Sequence, residues 1–120
     1  MEFMNTIELR GVVGRAETGS YNGNRVCNFS VVTEYSSRDK EGHSSIETQW
    51  FNVSLWETRD TQKPEIDKLA RGTWVRVIGR LRVRKYTTVD NEERSSLDVF
   101  ARTVEIIPRD DTNMQPQRDY

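Results

Sequence analysis

In the segment TWVRVIGRLRVRKYTT, residues 73–88, cations and aromatic rings recur at every second position: Trp74, Arg76, Arg80, Arg82, Arg84 and Tyr86. A strand turns successive side chains to opposite faces, so these residues share one face with Ile78. Val75, Val77, Leu81 and Val83, with Gly79 between them, form the other, which reads as a core face. Guanidinium groups pair with carboxylates and phosphates, and aromatic rings stack on planar groups. Together they suit an anionic ligand that also carries flat rings. The plainer reading is an edge strand charged against unwanted pairing. Charges placed only for solubility are usually mixed in sign, yet Lys68 to Thr88 holds seven basic residues and no acidic one. The formal net charge of −1 therefore conceals a local positive field.

The segment WFNVSLW, residues 50–56, repeats the pattern. Phe51, Val53 and Leu55 face one side; Trp50, Asn52, Ser54 and Trp56 face the other. Two exposed tryptophans are a liability unless a ligand covers them or barrel curvature turns one over the end of the core. Trp50, Trp56 and Tyr86 thus offer π surfaces among Arg80, Arg82, Arg84 and Lys85. Single-stranded nucleic acid fits this combination. Unpaired bases stack on aromatic side chains for about 1–3 kcal/mol per base with little regard to sequence. Phosphates meet the basic residues and release counterions. A duplex would hide its base faces, whereas RNA single strands remain an alternative ligand.

The elements that must hold these residues are short strands. At 120 residues the chain is expected to be one domain, and at 34% hydrophobic its core must be small. Strand-like runs occur at Ile7–Arg15, Val26–Thr33, Gln49–Trp56, Thr73–Thr88 and Leu97–Ile107. Gly11 and Gly14 suggest bends in the first, and slipped alternation near Arg102–Thr103 suggests a bulge in the last. Asn22-Gly23 reads as a hairpin turn. A long polar loop is expected over 34–48, a second polar hairpin tip over 87–96, and a short helix over 63–72, opened near Pro64 and closed by Gly72. Three strands, a helix and two strands is the order of an all-β OB-fold, a five-stranded antiparallel Greek-key barrel with one short helix between strands 3 and 4. A β-sandwich would need more strands than the chain supplies.

Enzyme chemistry finds little support. His43 is the single histidine and lies in a polar loop, and Cys27 is the single cysteine, so no internal disulfide can form. No zinc-ligand spacing or phosphate loop occurs, and no two carboxylates oppose each other on the aromatic face. The expectation is a non-enzyme with no cofactor and no metal.

At these motifs the chain resembles the bacterial single-stranded DNA-binding protein (SSB) family, over about residues 5–107. NTIELRGVVGRAE, VCNFSVVTE, TQWFNVSLW and KLARGTWVRVIGRLRVRKYT resemble its successive segments. The resemblance implies an OB-fold, sequence-tolerant binding of single-stranded DNA in replication, recombination or repair, and a homotetramer, with a dimer as the fallback. Trp50 and Trp56 stand at stacking positions of the third strand, the second usually Phe, and Tyr86 replaces a stacking Trp. Arg82, Arg84 and Lys85 match a phosphate-contacting cluster, joined by Arg71 and Arg94 at matching basic positions. The stacking Trp expected after the second strand is missing; Tyr35 lies nearby, out of register. Phe51 stands where familiar members carry a His near the subunit interface, and Trp74, Arg76 and Ile78 occupy a stretch used between subunits. An RNA-binding or primosome-type OB protein, or an OB adaptor whose aromatic face meets protein, are the alternatives.

The domain is expected over residues 1–108, followed by a short polar, disordered segment over 109–120. That segment carries Asp110 and Asp111 but not the acidic tip ending in Pro-Phe through which the family recruits repair and replication proteins, so such recruitment is not expected. No apolar run spans a membrane and no signal-peptide pattern opens the chain. The expected location is the bacterial cytoplasm, with the nucleoid.

Overall fold

The computed structural model describes residues 1–57 and 64–108. The expectations for 109–120, including Asp110 and Asp111, lie outside the described residues. Five strands appear in the order β1 (Ile7–Tyr21), β2 (Asn24–Arg38), β3 (Ser44–Trp56), β4 (Trp74–Thr87) and β5 (Glu93–Ile106). They close into a barrel with neighbours β1-β2-β3-β5-β4. Closure depends on β1, whose first half pairs with β4 and whose second half pairs with β2, both antiparallel. The strand can serve two partners because its register with β2 slips between Val13 and Ala16, at the bend expected around Gly14. The remaining seam, β3 against β5, is parallel, while β2–β3 and β4–β5 are antiparallel hairpins. The bulge expected in the last strand is also present. Ile78 pairs with Thr103 and Gly79 with Ala101, leaving Arg102 as the extra residue.

The interior is mostly valine. Val13, Val31, Val53, Val75, Val77 and Val99 are buried together with Leu9, Cys27, Phe29 and Leu55. β-branched side chains suit a tightly curved sheet because their restricted rotamers fit the pleat. Burial also pushes the Cys27 thiol above its usual pKa, which keeps it a neutral core residue.

The helix expected over 63–72 is a shorter 3-10 turn, Pro64–Lys68. Ile66 and Leu69 cover one end of the barrel and Ala70 is exposed. Five residues give too few hydrogen bonds to sustain a free helix, so the turn is held by packing and charge. Arg25 bridges Glu57, at the end of β3, and Asp67, in the turn, the latter at 2.7 Å. Hydrogen bonds to both carboxylates raise the Arg25 pKa still further.

Most strands run longer than their sequence pattern. The polar loop expected over 34–48 is largely a hairpin, paired from Thr33–Gln49 out to Arg38–Ser44. The tip expected over 87–96 narrows to residues 88–92, and β1 continues to the Asn22-Gly23 turn, whose φ values of 53° and 83° are those the dipeptide favours. These extensions project beyond the barrel and have solvent on both faces. Val83 is therefore not a core residue as its alternation suggests; it is 57% exposed and pairs with Leu97, 58% exposed. Beside it, the Asn5 side chain pairs with both backbone groups of Leu81, at 2.7 and 3.0 Å, and so caps the β4 edge where β1 leaves it.

Two substitutions in one strand test this division. Val77→Ala, at a fully buried position, should destabilise the fold by about 1.5–3 kcal/mol, whereas Val83→Ala should stay within about 0.5 kcal/mol of the parent. Urea unfolding measures both, and equal losses would refute the placement of Val83 outside the core.

Candidate nucleic-acid interface

The outward side chains of β2, β3, β5 and β4 form one continuous face, and backbone register sets its rows. One row runs Ser30, Asn52, Asp98, Arg82; the next runs Asn28, Ser54, Phe100, Arg80. Two residues further along β3 and β5, Trp50 and Ser96 extend the pattern toward Arg84, the register partner of Ser96. Both tryptophans lie on this face, Trp50 at 64% exposure and Trp56 at 36%. Curvature thus leaves Trp50 open, while Trp56 meets Tyr21 edge to face, with ring centroids 6.2 Å apart.

Trp50 has a built seat. Its indole lies across Gly14: a methyl group there would overlap Cζ3 and come within 2.9 Å of Ser30 Oγ. The backbone N–H of Arg15 donates to that hydroxyl, at 3.1 Å. Trp50, Asn52, Ser30, Arg15, Leu69 and Arg71 line a cleft of about 820 Å³ that opens onto the face. It has one flat wall, an amide, a hydroxyl and two cations, so it can seat a planar ring with an anion beside it.

The arginines of β4 fall into two groups. Arg76 is engaged, hydrogen-bonded to Glu8 at 2.8 Å and close to Glu105 at 3.5 Å. That hydrogen bond holds the Glu8 carboxyl below its usual range and raises Arg76. Arg80 and Arg82 have no carboxylate partner among the described residues; their guanidinium carbons lie 4.9 and 5.3 Å from the centroid of Phe100. Arg84 approaches Tyr86 at 6.0 Å and Asp98 at 3.4 Å.

Of the residues expected to form a site, Trp50, Asn52, Trp56, Arg80, Arg82 and Arg84 share this face, and Arg71 reaches it from beyond the 3-10 turn. Tyr86 and Arg94 are register partners near the β4–β5 tip, where Arg94 pairs with Glu92 at 2.9 Å. Alternation places Lys85 with Val83 on the opposite face of the hairpin, away from Arg84. Tyr35 likewise follows the inward register of Phe29 and Val31, opposite Trp50, in the projecting part of β2. Phe51 packs against the core. Trp74, Arg76 and Ile78 lie on a different side of the barrel, opposite Val12, Arg10 and Glu8 of β1.

Phe100, Arg15 and Tyr21 join the face without a signal of function in the sequence. Strict alternation from buried Val99 would have turned Phe100 outward, but VFA reads as a plain apolar run. Arg15 carries no mark in its own segment, because only the β1–β2 register brings it to Trp50. Asp39, Glu41 and His43 gather at the exposed tip of the β2–β3 hairpin, where Asp39 accepts the backbone N–H groups of Glu41 and His43 at 2.9 and 2.8 Å. Those bonds close the turn, and the one from His43 does most to lower the Asp39 pKa.

No helix among the described residues is long and apolar enough to cross a membrane. Residues 4–107 match the model of the single-strand binding protein family. The single-stranded DNA-binding proteins of Neisseria meningitidis serogroups A and B are 32% identical over 106 residues, 87% of this chain and 60% of each relative. The chain thus spans about 60% of the length of these curated relatives. In structure it is similar to a Plasmodium falciparum SSB in complex with ssDNA, at a TM-score of 0.78 and 23% identity, covering 90% of this chain and 98% of that one. A deletion mutant of the single-stranded DNA binding protein from Thermus aquaticus gives 0.71 and 19%, covering 88% and 51%. At these identities the structural likeness speaks for the OB-fold.

The Gly14 seat yields a direct test. Gly14→Ala should displace the indole, shift Trp50 emission in a protein whose Trp56 and Trp74 are replaced by Phe, and leave the barrel folded by circular dichroism. Unchanged emission would show that the ring does not depend on the bare backbone.

Proposed function

The chain belongs to the single-strand binding protein family, and from that premise we propose that it binds single-stranded DNA, with little regard to sequence, on the β2–β3–β5–β4 face. The observation that carries the reading is the adjacency of an open indole, a cleft and unpaired arginines. Trp50 stacks one base, Trp56 and Tyr86 stack others, and Phe100 adds a ring beneath Arg80 and Arg82. Phosphates meet Arg80, Arg82, Arg84, Arg71 and Arg15, with Arg94 and Lys85 joining nearer the hairpin tip. The position of Lys85 on the reverse of the hairpin makes it the weakest of these contacts.

The domain spans residues 1–108, and it self-associates through the side that carries Val12, Trp74 and Ile78, most simply as a tetramer. Trp74 is 38% exposed beside its register partner Val12, with Ile78 further along β4 beyond Arg76, and a partner subunit would remove these apolar groups from water. Arg76, already engaged by Glu8 and Glu105, shapes that side and does not hold phosphate. Protection of exposed strands during replication, recombination or repair is the role such binding serves.

Titration with oligo(dT), oligo(rU) and duplex DNA, followed by tryptophan fluorescence, tests the reading. Oligo(dT) should quench strongly and duplex weakly, and Trp50→Ala should weaken oligo(dT) binding by about 1–3 kcal/mol. Arg82→Ala should weaken dT and dC strands alike and flatten log K against log salt by about 0.7 for each phosphate left unmet. Arg76→Ala should leave that slope unchanged and alter sedimentation instead. Preference for duplex, or an Arg82→Ala slope equal to the parent's, would contradict the proposal.

A further inference from the structure

The middle of the basic face holds a carboxylate. Asp98 pairs in register with Asn52 on β3 and with Arg82 on β4, and its side chain is 16% exposed. Its contact with Arg84, 3.4 Å from Nε to Oδ2, is long for a hydrogen bond. Oδ1 has no partner among the described residues. Solubility does not explain an acid with so little exposure, set between Asn52 on β3 and Arg82 and Arg84 on β4.

A phosphate placed directly over Asp98, and not over the neighbouring guanidinium groups, would meet a like charge. A bound strand that runs its phosphates along Arg80, Arg82 and Arg84 of β4 turns something else toward Asp98 and, beyond it, Asn52 of β3. A base edge is the part of a nucleotide that can do so. A carboxylate only accepts hydrogen bonds, whereas the neighbouring Asn52 amide both donates and accepts. An exocyclic amino group meets this pair well. The carbonyl at the same place on uracil or thymine faces the carboxylate lone pairs, and the donor that those bases do carry on this edge, N3–H, sits one ring position away.

We propose that Asp98, flanked by Asn52, reads one base edge of the bound strand and favours cytosine, with its N4 amino group, over uracil or thymine. Binding remains tolerant overall, since stacking and phosphate contacts carry most of the affinity, but one position along the strand is biased. The inference rests on the single-strand reading above and adds to it a preference that stacking alone does not supply.

Oligo(dC) and oligo(dU) of equal length are the probes, because the bases differ only at ring positions 3 and 4. In mildly alkaline buffer at fixed salt, the parent protein should hold oligo(dC) roughly three- to tenfold more tightly, the range of a single added hydrogen bond. Asp98→Asn removes the charge and supplies a donor, so both affinities should rise and their ratio should fall toward one. Arg84→Ala keeps the carboxylate, so it should weaken both strands and preserve the ratio. An Asp98→Asn protein that gains equally on both strands would overturn the proposal and leave Asp98 as a simple brake on phosphate binding. A parent ratio near one would overturn it as well. Binding to neither strand would remove the single-strand reading itself, a result distinct from tight binding without preference.

Discussion

Closure of the sheet by β1 is the constraint on which the rest depends. One strand pairs with β4 over its first half and β2 over its second, with a register slip between them. Once that circuit is closed, every strand has one face against a valine-rich interior and one face outward. The outward rows are then fixed by backbone pairing, independent of side-chain affinities. Trp50 meets Gly14 because β1 bends there, and Arg80 lies over Phe100 because β4 and β5 are in that register. The face is therefore presented by the barrel walls, and its rigidity is that of the core.

Charge is sorted by the same geometry. Among the described residues, most of the acidic groups lie at hairpin tips, beside the 3-10 turn, or against Arg76. Arg80 and Arg82 are left to an aromatic ring, which orients a guanidinium without neutralising it. A ligand phosphate can thus be met without first breaking a carboxylate pair. Arg94, paired with Glu92 at the hairpin tip, and Arg84, beside Asp98, are the exceptions, and the loose Arg84–Asp98 contact is the place where the face departs from a uniform anion surface.

The strand order, the β5 bulge and the Trp50–Trp56 face were legible in the sequence because each sits where burial on one side enforces alternation, and the Asn-Gly turn was legible from the dipeptide's own backbone preference. The hairpin extensions were not. Beyond the barrel both faces are solvated, so residues 34–48 and 87–96 lose the alternating signal and read as loops, although 34–38 pair with 44–48 and the second tip is confined to 88–92. Val83 shows the converse: its alternation continues past the end of the core that gave it meaning. Arg15, Gly14 and Asp98 join the face only through pairing between distant strands, which no local pattern encodes. The helix was placed correctly but overextended, since Leu69 and Ala70 continue an apolar stripe after the 3-10 turn has ended.

The proposed interface places the single strand on one side of the barrel and not around its circumference. Amide and indole chemical-shift mapping during addition of oligo(dT) measures this directly. Shifts should concentrate at Gly14, Ser30, Trp50, Asn52, Phe100 and Arg80–Arg84, with Glu8, Arg10, Arg76 and Glu105 unmoved. Shifts concentrated on the Glu8–Arg76 side, with Trp50 and Phe100 silent, would contradict it.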